Sequence, residues 1–136
     1  MVSAALLVTA LSLCTAGCEL LLDRDPRIDG TWRGAVTLDD TMVQVELELT
    51  QTLVHSFRTL EIYAVSGRGR LSYPAASLAV PCTVSGRYVR TTVALKLHAP
   101  RARLPAITGE VSDDGDTITG RLIGQAFEVP ITLWKE

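Results

Sequence analysis

The chain has 136 residues, of which 13 are Lys or Arg and 15 are Asp or Glu, for a formal net charge of −2. That length supports a single domain with its own core, and a hydrophobic content of 47% argues against a disordered chain. The balanced charge argues against nucleic acid as a partner, and 5% aromatic residues argue against a large stacking platform.

Val2 to Gly17 carries no charge, and the first charged side chain is Glu19. The run is shorter than the about 20 apolar residues that a spanning helix needs, and it fits the apolar region of a secretory signal peptide. Thr15-Ala16-Gly17-Cys18 resembles the lipobox of bacterial lipoproteins, in which a cysteine after two small residues is lipidated and becomes the mature N-terminus. It departs from that pattern at Thr15, where Leu is commoner, and in having no Lys or Arg before the apolar run. Leu13 is too large to make Cys14 the modified residue. The resemblance implies a signal peptide over residues 1–17, a covalent lipid on Cys18, and a bacterial envelope location. Glu19 after the cysteine points to the outer membrane, facing the periplasm or the surface. An ordinary secreted chain, or an uncleaved helix through Leu22, remains the alternative. A single buried acyl chain anchors marginally, whereas the three chains of such lipoproteins imply stable attachment.

Residues 18–29 then form the lipidated cysteine and a partly ordered tether, because Glu19 to Asp29 mixes charge with Pro26 and has no sustained periodicity. Once Cys14 leaves with the signal and Cys18 takes lipid, Cys82 is alone; its apolar neighbours read as a buried structural thiol.

Residues 30–136 read as one all-β domain. Trp32, Gly34, Val36 and Leu38 alternate with Arg33, Ala35 and Thr37, and Asp39-Asp40-Thr41 makes a turn. Val43, Val45, Leu47 and Leu49 then alternate with Gln44, Glu46, Glu48 and Thr50, giving one dry and one wet face and hence an antiparallel strand. Further strands are expected over Leu60–Leu71, Leu78–Tyr88, Thr91–His98, Leu104–Ser112, Thr117–Ile123 and Phe127–Trp134. His55-Ser56-Phe57-Arg58 falls in the longest connection, and Asp113-Asp114-Gly115-Asp116 is a tight hairpin turn. Pro74, Pro100 and Pro130 mark edges or strand starts.

A pattern of β-branched residue, Ser or Thr, Gly and charge recurs around Gly67, Gly86, Gly109 and Gly120, spaced too irregularly for a solenoid. Glycine inside a strand marks a bulge, a bend or the close approach of another backbone, all of which serve to close a small barrel. An antiparallel meander closing into an eight-stranded barrel is therefore expected, with a two-sheet sandwich as the alternative.

Gly30-Thr31-Trp32-Arg33-Gly34 resembles the Gly-x-Trp signature that opens lipocalin and avidin-like barrels. It is also similar to uncharacterised small bacterial lipoproteins with a GTWxG start and a Leu-x-Leu-Thr-Gln second strand, here Leu47 to Gln51. Carried onto Gly30, Trp32 and Gly34, the lipocalin resemblance implies a structural plug at the closed end of the barrel.

Candidate chemistry is scarce. There is no nucleophile elbow, phosphate loop, zinc pattern or calcium loop, so no catalytic residue, metal or cofactor is expected beyond the lipid on Cys18. His55 and His98 read as surface histidines, and Glu46 and Glu48 as the carboxylate half of a cross-strand ladder with Arg68 and Arg70. Arg101 and Arg103 could touch lipid head groups. Two functions follow. One is a membrane-anchored envelope lipoprotein with a structural or protein-interaction role and no catalysis. The alternative is a lipocalin-like module for a small apolar ligand. The branched aliphatic interior, with few polar groups to orient a ligand, favours a filled barrel and the first reading.

Overall fold

The computed structural model describes residues 25–136; Cys14, Cys18 and the apolar run before them lie outside the described residues. Eight antiparallel strands follow one another around a closed barrel in sequence order. They are β1 (Gly30–Leu38), β2 (Thr41–Phe57), β3 (Leu60–Tyr73), β4 (Leu78–Val89), β5 (Thr92–Ala99), β6 (Ala102–Val111), β7 (Thr117–Ile123) and β8 (Glu128–Lys135). The sandwich alternative is thereby set aside. One 3-10 turn, Pro74–Ala76, links β3 to β4, with Ser77 in the left-handed region.

Period-two alternation places the core. Val43, Val45, Leu47 and Leu49 point inward from β2, and they meet Val65 and Leu71 from β3, Val93, Leu95 and Leu97 from β5, and Ile118, Leu122, Ile131 and Leu133 from β7 and β8. Leu38, also expected inside, is only partly buried, and so is Val129 of β8. Val84, Tyr88, Ile107 and Val111 complete the interior, and Cys82 is buried as its neighbours imply.

The glycines that recur along the strands face inward. At Gly67 a side chain would run into the carbonyl of Glu48, and at Gly120 into the carbonyl of Thr108. The strands coil so strongly there that the neighbouring backbone occupies the space of a Cβ, which is the close approach that closure at small radius demands.

One element differs from expectation. His55 to Arg58 is not a long connection: β2 continues to Phe57 and turns at Arg58-Thr59 straight into β3. The registers of β2 and β3 shift between Leu53 and His55, a bulge. Beyond Gln51 the β2 arm has no β1 partner and is exposed on both faces, so burial imposes no alternation on its sequence. The hairpin projects past the barrel at the end where β1 begins.

Candidate functional site

That end of the barrel is closed by the five residues before β1, which are the last part of the expected tether. Ile28 is completely buried. Its N–H donates to Gln51 Oε1 at 2.6 Å, while the Gln51 N–H donates to Asp29 Oδ1 at 2.9 Å. The two large polar-tipped residues of the interior are satisfied by the same segment. Trp32 Nε1–H donates to the Ile28 carbonyl at 2.9 Å, and the Tyr88 hydroxyl donates to the Pro26 carbonyl at 2.7 Å. Lys135 Nζ donates to the Arg27 carbonyl at 3.1 Å and stands 5.6 Å from the Trp32 ring centroid. Burying an indole N–H, a phenol and a glutamine amide is costly unless each finds a partner. The plug supplies those partners, and no buried side-chain polar atom is left unpaired among the described residues.

Gly30, Trp32 and Gly34 therefore belong to the structural closure of one end. Trp32 is fully enclosed, and Gly34 passes so close to β8 that a side chain would meet the Thr132 carbonyl. Gly67, Gly86, Gly109 and Gly120 lie around the wall as described, and the structure does not gather them into one site.

The remaining candidates sit on the outside. Glu46 faces Arg70 and Glu48 faces Arg68 across the β2–β3 ladder. Glu46 also reaches Arg33 at 2.9 Å, and Arg33 reaches Glu136 at 2.9 Å, all on half-exposed side chains where such pairs add little stability. His55 and His98 are both exposed, and His98 Nε2 lies 3.2 Å from Ser85 Oγ on the outer wall. In the Asp113–Asp116 turn, the Ser112 hydroxyl donates to Asp114 Oδ1 at 2.6 Å, and these contacts hold the Asp114 carboxyl below its usual range. The turn is built by its own hydrogen bonds, and no group of three metal-ligating side chains occurs among the described residues.

Two perturbed groups are buried for structural reasons. Desolvation pushes the Cys82 thiol up, against a smaller opposing bond from the Gly69 backbone. Desolvation likewise pushes the Tyr88 phenol up, with Asp25, Tyr63 and Glu110 adding to it. Neither is poised for chemistry at neutral pH.

The larger clefts open on the outer wall. One of about 660 Å³ runs over Gly34 and Ala35 beside Trp134 and Arg70. Another, of about 470 Å³, lies where β4 and β5 splay apart above Thr83, between Pro81 and Pro100.

Charge is distributed unevenly around this wall, which the net value of −2 conceals. Between Glu61 and Glu110 the sequence has no Asp or Glu, and it has 7 Lys or Arg: Arg68, Arg70, Arg87, Arg90, Lys96, Arg101 and Arg103. A scan of charge along the chain would have found it; the plug, made by bonds between distant residues, left no such signal. No protein family matches the chain, and no characterised protein or solved structure matches it.

Proposed function

We propose that this chain is a bacterial envelope lipoprotein, held to the membrane by lipid on Cys18, in which the barrel has a structural or interaction role and no catalysis. The observation behind the role is the filled interior: the inward positions of the barrel carry Val, Leu, Ile, Trp and Tyr, and Ile28 seals one end. Recognition is then left to the outer wall. An open cup for a small apolar ligand has less behind it, since side chains already fill a barrel of this strand number. The anchor rests on Thr15-Ala16-Gly17-Cys18. From Cys18 to Asp25 the backbone spans at most about 25 Å, so a membrane at Cys18 lies within about that distance of the plugged end.

The test is intact mass of the membrane-fraction protein beside a Cys18→Ser variant. The expected mass is that of a chain beginning at Cys18 with acyl groups added, and the variant is released by an alkaline wash. A variant that still pellets with membrane after that wash, or an unacylated mature chain, refutes the reading.

A further inference from the structure

The acid-free stretch folds into one side of the barrel. It supplies nearly all of β3, β4, β5 and β6, four strands adjacent in the wall. On the outer face one register row runs Arg68, Thr83, His98, Arg103, and the next runs Ser66, Ser85, Lys96, Ala106. Arg87 follows in a third row, paired with Ala64 and Ala94. The cations are exposed and stand among short neutral side chains; only at the β2 margin do carboxylates face them, Glu48 opposite Arg68 and Glu46 opposite Arg70, and none stands opposite Arg87, Lys96 or Arg103. Of these residues only Arg70 has an ion pair among those described, with Glu46 at 3.7 Å. By contrast, Arg33 and Arg121 on the other strands are each matched to a glutamate.

Two apolar features flank this wall. The β2–β3 hairpin exposes Leu53 by 48%, Val54 by 60% and Phe57 by 60%, with the Arg58 guanidinium 5.6 Å from the Phe57 ring. At the other end, the cleft between Pro81 and Pro100 is bordered by Arg101. Arg58 and Arg90, at the tips of two hairpin turns, both hold positive φ, 54° and 50°, where Gly or Asn is less strained.

A partner for this surface must present many negative charges over a broad, shallow area. It must also receive exposed aliphatic and aromatic side chains beside them. A soluble polyanion meets the first condition and not the second. A bilayer meets both, with phosphates in the head-group layer and acyl chains beneath. We infer that the outer wall of β3–β6, with the tip of the β2–β3 hairpin, binds the surface of an anionic phospholipid bilayer. Asp25, the first described residue, lies within electrostatic reach of Glu61 near the tip of that hairpin and of Arg90 in the β4–β5 turn, on the side of this wall. An anchored tether would therefore bring the wall to the membrane, although the inference rests on the described strands and not on Cys18.

The core from Ile28 to Leu133 and the closing strands all lie within residues 25–136, so this part carries its own fold and can be tested without any lipid. It is sedimented with vesicles of phosphatidylcholine alone and of phosphatidylcholine mixed with phosphatidylglycerol. The expected result is binding to the mixed vesicles only, falling at least about tenfold from low to high salt as charges are screened. Combined Arg68→Gln, Arg87→Gln and Lys96→Gln should lower binding on the order of 100-fold, about fivefold per cation. Phe57→Ser should lower it separately, and Arg33→Gln on the far wall should leave it unchanged. All of these side chains are exposed, and circular dichroism checks that the variants stay folded. Equal binding to both vesicle types, no binding, or a triple variant that binds like the parent overturns the inference. Binding to soluble polyphosphate without binding to vesicles also overturns it, in favour of a dissolved polyanion. Acylation of Cys18 is read on the full chain by mass, so the two proposals fail independently.

Discussion

Replacing Trp32 tests whether the plugged end organises the barrel. Its indole is completely enclosed, and its N–H is the donor to the Ile28 carbonyl. Removing a large buried aromatic costs about 3–5 kcal/mol. Burial of an aromatic side chain amounts to about 150–250 Å², which at about 25 cal/mol per Å² gives a comparable figure. Trp32→Ala also strips the Ile28 carbonyl of its partner, a further penalty of about 1–3 kcal/mol. Trp32→Phe separates the two effects, because it keeps most of the ring and removes only the donor. The phenylalanine variant should therefore lose about 1–3 kcal/mol, and the alanine variant roughly 4–8 kcal/mol. A domain of ordinary stability, about 5–15 kcal/mol, would leave Trp32→Ala near the limit of folding. Urea unfolding followed by far-ultraviolet circular dichroism measures both. Trp134 is 61% exposed, so Trp134→Phe isolates the emission of Trp32, which should be blue-shifted in the folded state and move red on unfolding. An alanine variant within about 1 kcal/mol of the parent would refute the packing argument. Equal losses for Ala and Phe would show that the hydrogen bond, and not the ring, fixes this end.

Gln51→Leu should cost about 1–3 kcal/mol by leaving the buried Ile28 N–H without an acceptor, and amide hydrogen exchange at Ile28 should accelerate; unchanged exchange would mean that the plug is held by other contacts. Gly120→Ala forces a methyl into the Thr108 carbonyl and should cost about 1–3 kcal/mol in the same unfolding assay, with full stability counting against close strand approach. The hydroxyls of Thr92 and Thr91 hold the Glu110 carboxyl below its usual range, at 2.7 and 2.8 Å. The associated stabilisation is present above the unfolded carboxyl's value and is lost as pH falls through the lower folded one. Thr92→Ala should raise the Glu110 midpoint in a carboxyl NMR titration, and a midpoint that stays in place rules out this cause.

What could be read in the sequence follows from what burial imprints on it. β2 was legible from Val43 to Leu49 because a wall with one dry and one wet face requires alternation, and the same holds for β5 and β7. The outer arm of β2, from Thr52 to Phe57, touches no core, so its strand character leaves no periodic trace. The inward glycines were visible as a repeat, yet their reason lies in the carbonyls of neighbouring strands. Gln51 was visible only as the end of a short motif. Its burial depends on a bond to Ile28, 23 positions away, and a lone isoleucine in a charged segment does not announce itself. The charge asymmetry needed no structure to be noticed, but its concentration on four adjacent strands did.

The closure between β1 and β8 is unlike the other joints of the wall. Its ladder has two residue pairs, Trp32 with Lys135 and Arg33 with Trp134, whereas β3 and β4 pair from Ile62 to Val89. Above Arg33 the rims of β1 and β8 run on without pairing, and Pro130 lies in that stretch of β8 with no N–H to offer a foreign strand. Every other joint is a hairpin between chain neighbours, while this one ties together the two ends of the domain; the Lys135–Arg27 contact beside it spans 108 positions. Loop-closure entropy is thus concentrated in a single step, and seven inexpensive hairpins precede it in any route that forms near contacts before far ones. The molecule is in this sense a rolled ribbon fastened at one corner. Fluctuations that unroll it start at the free margin of that fastening, away from the plug, and the corner held by Trp32 is where they stop.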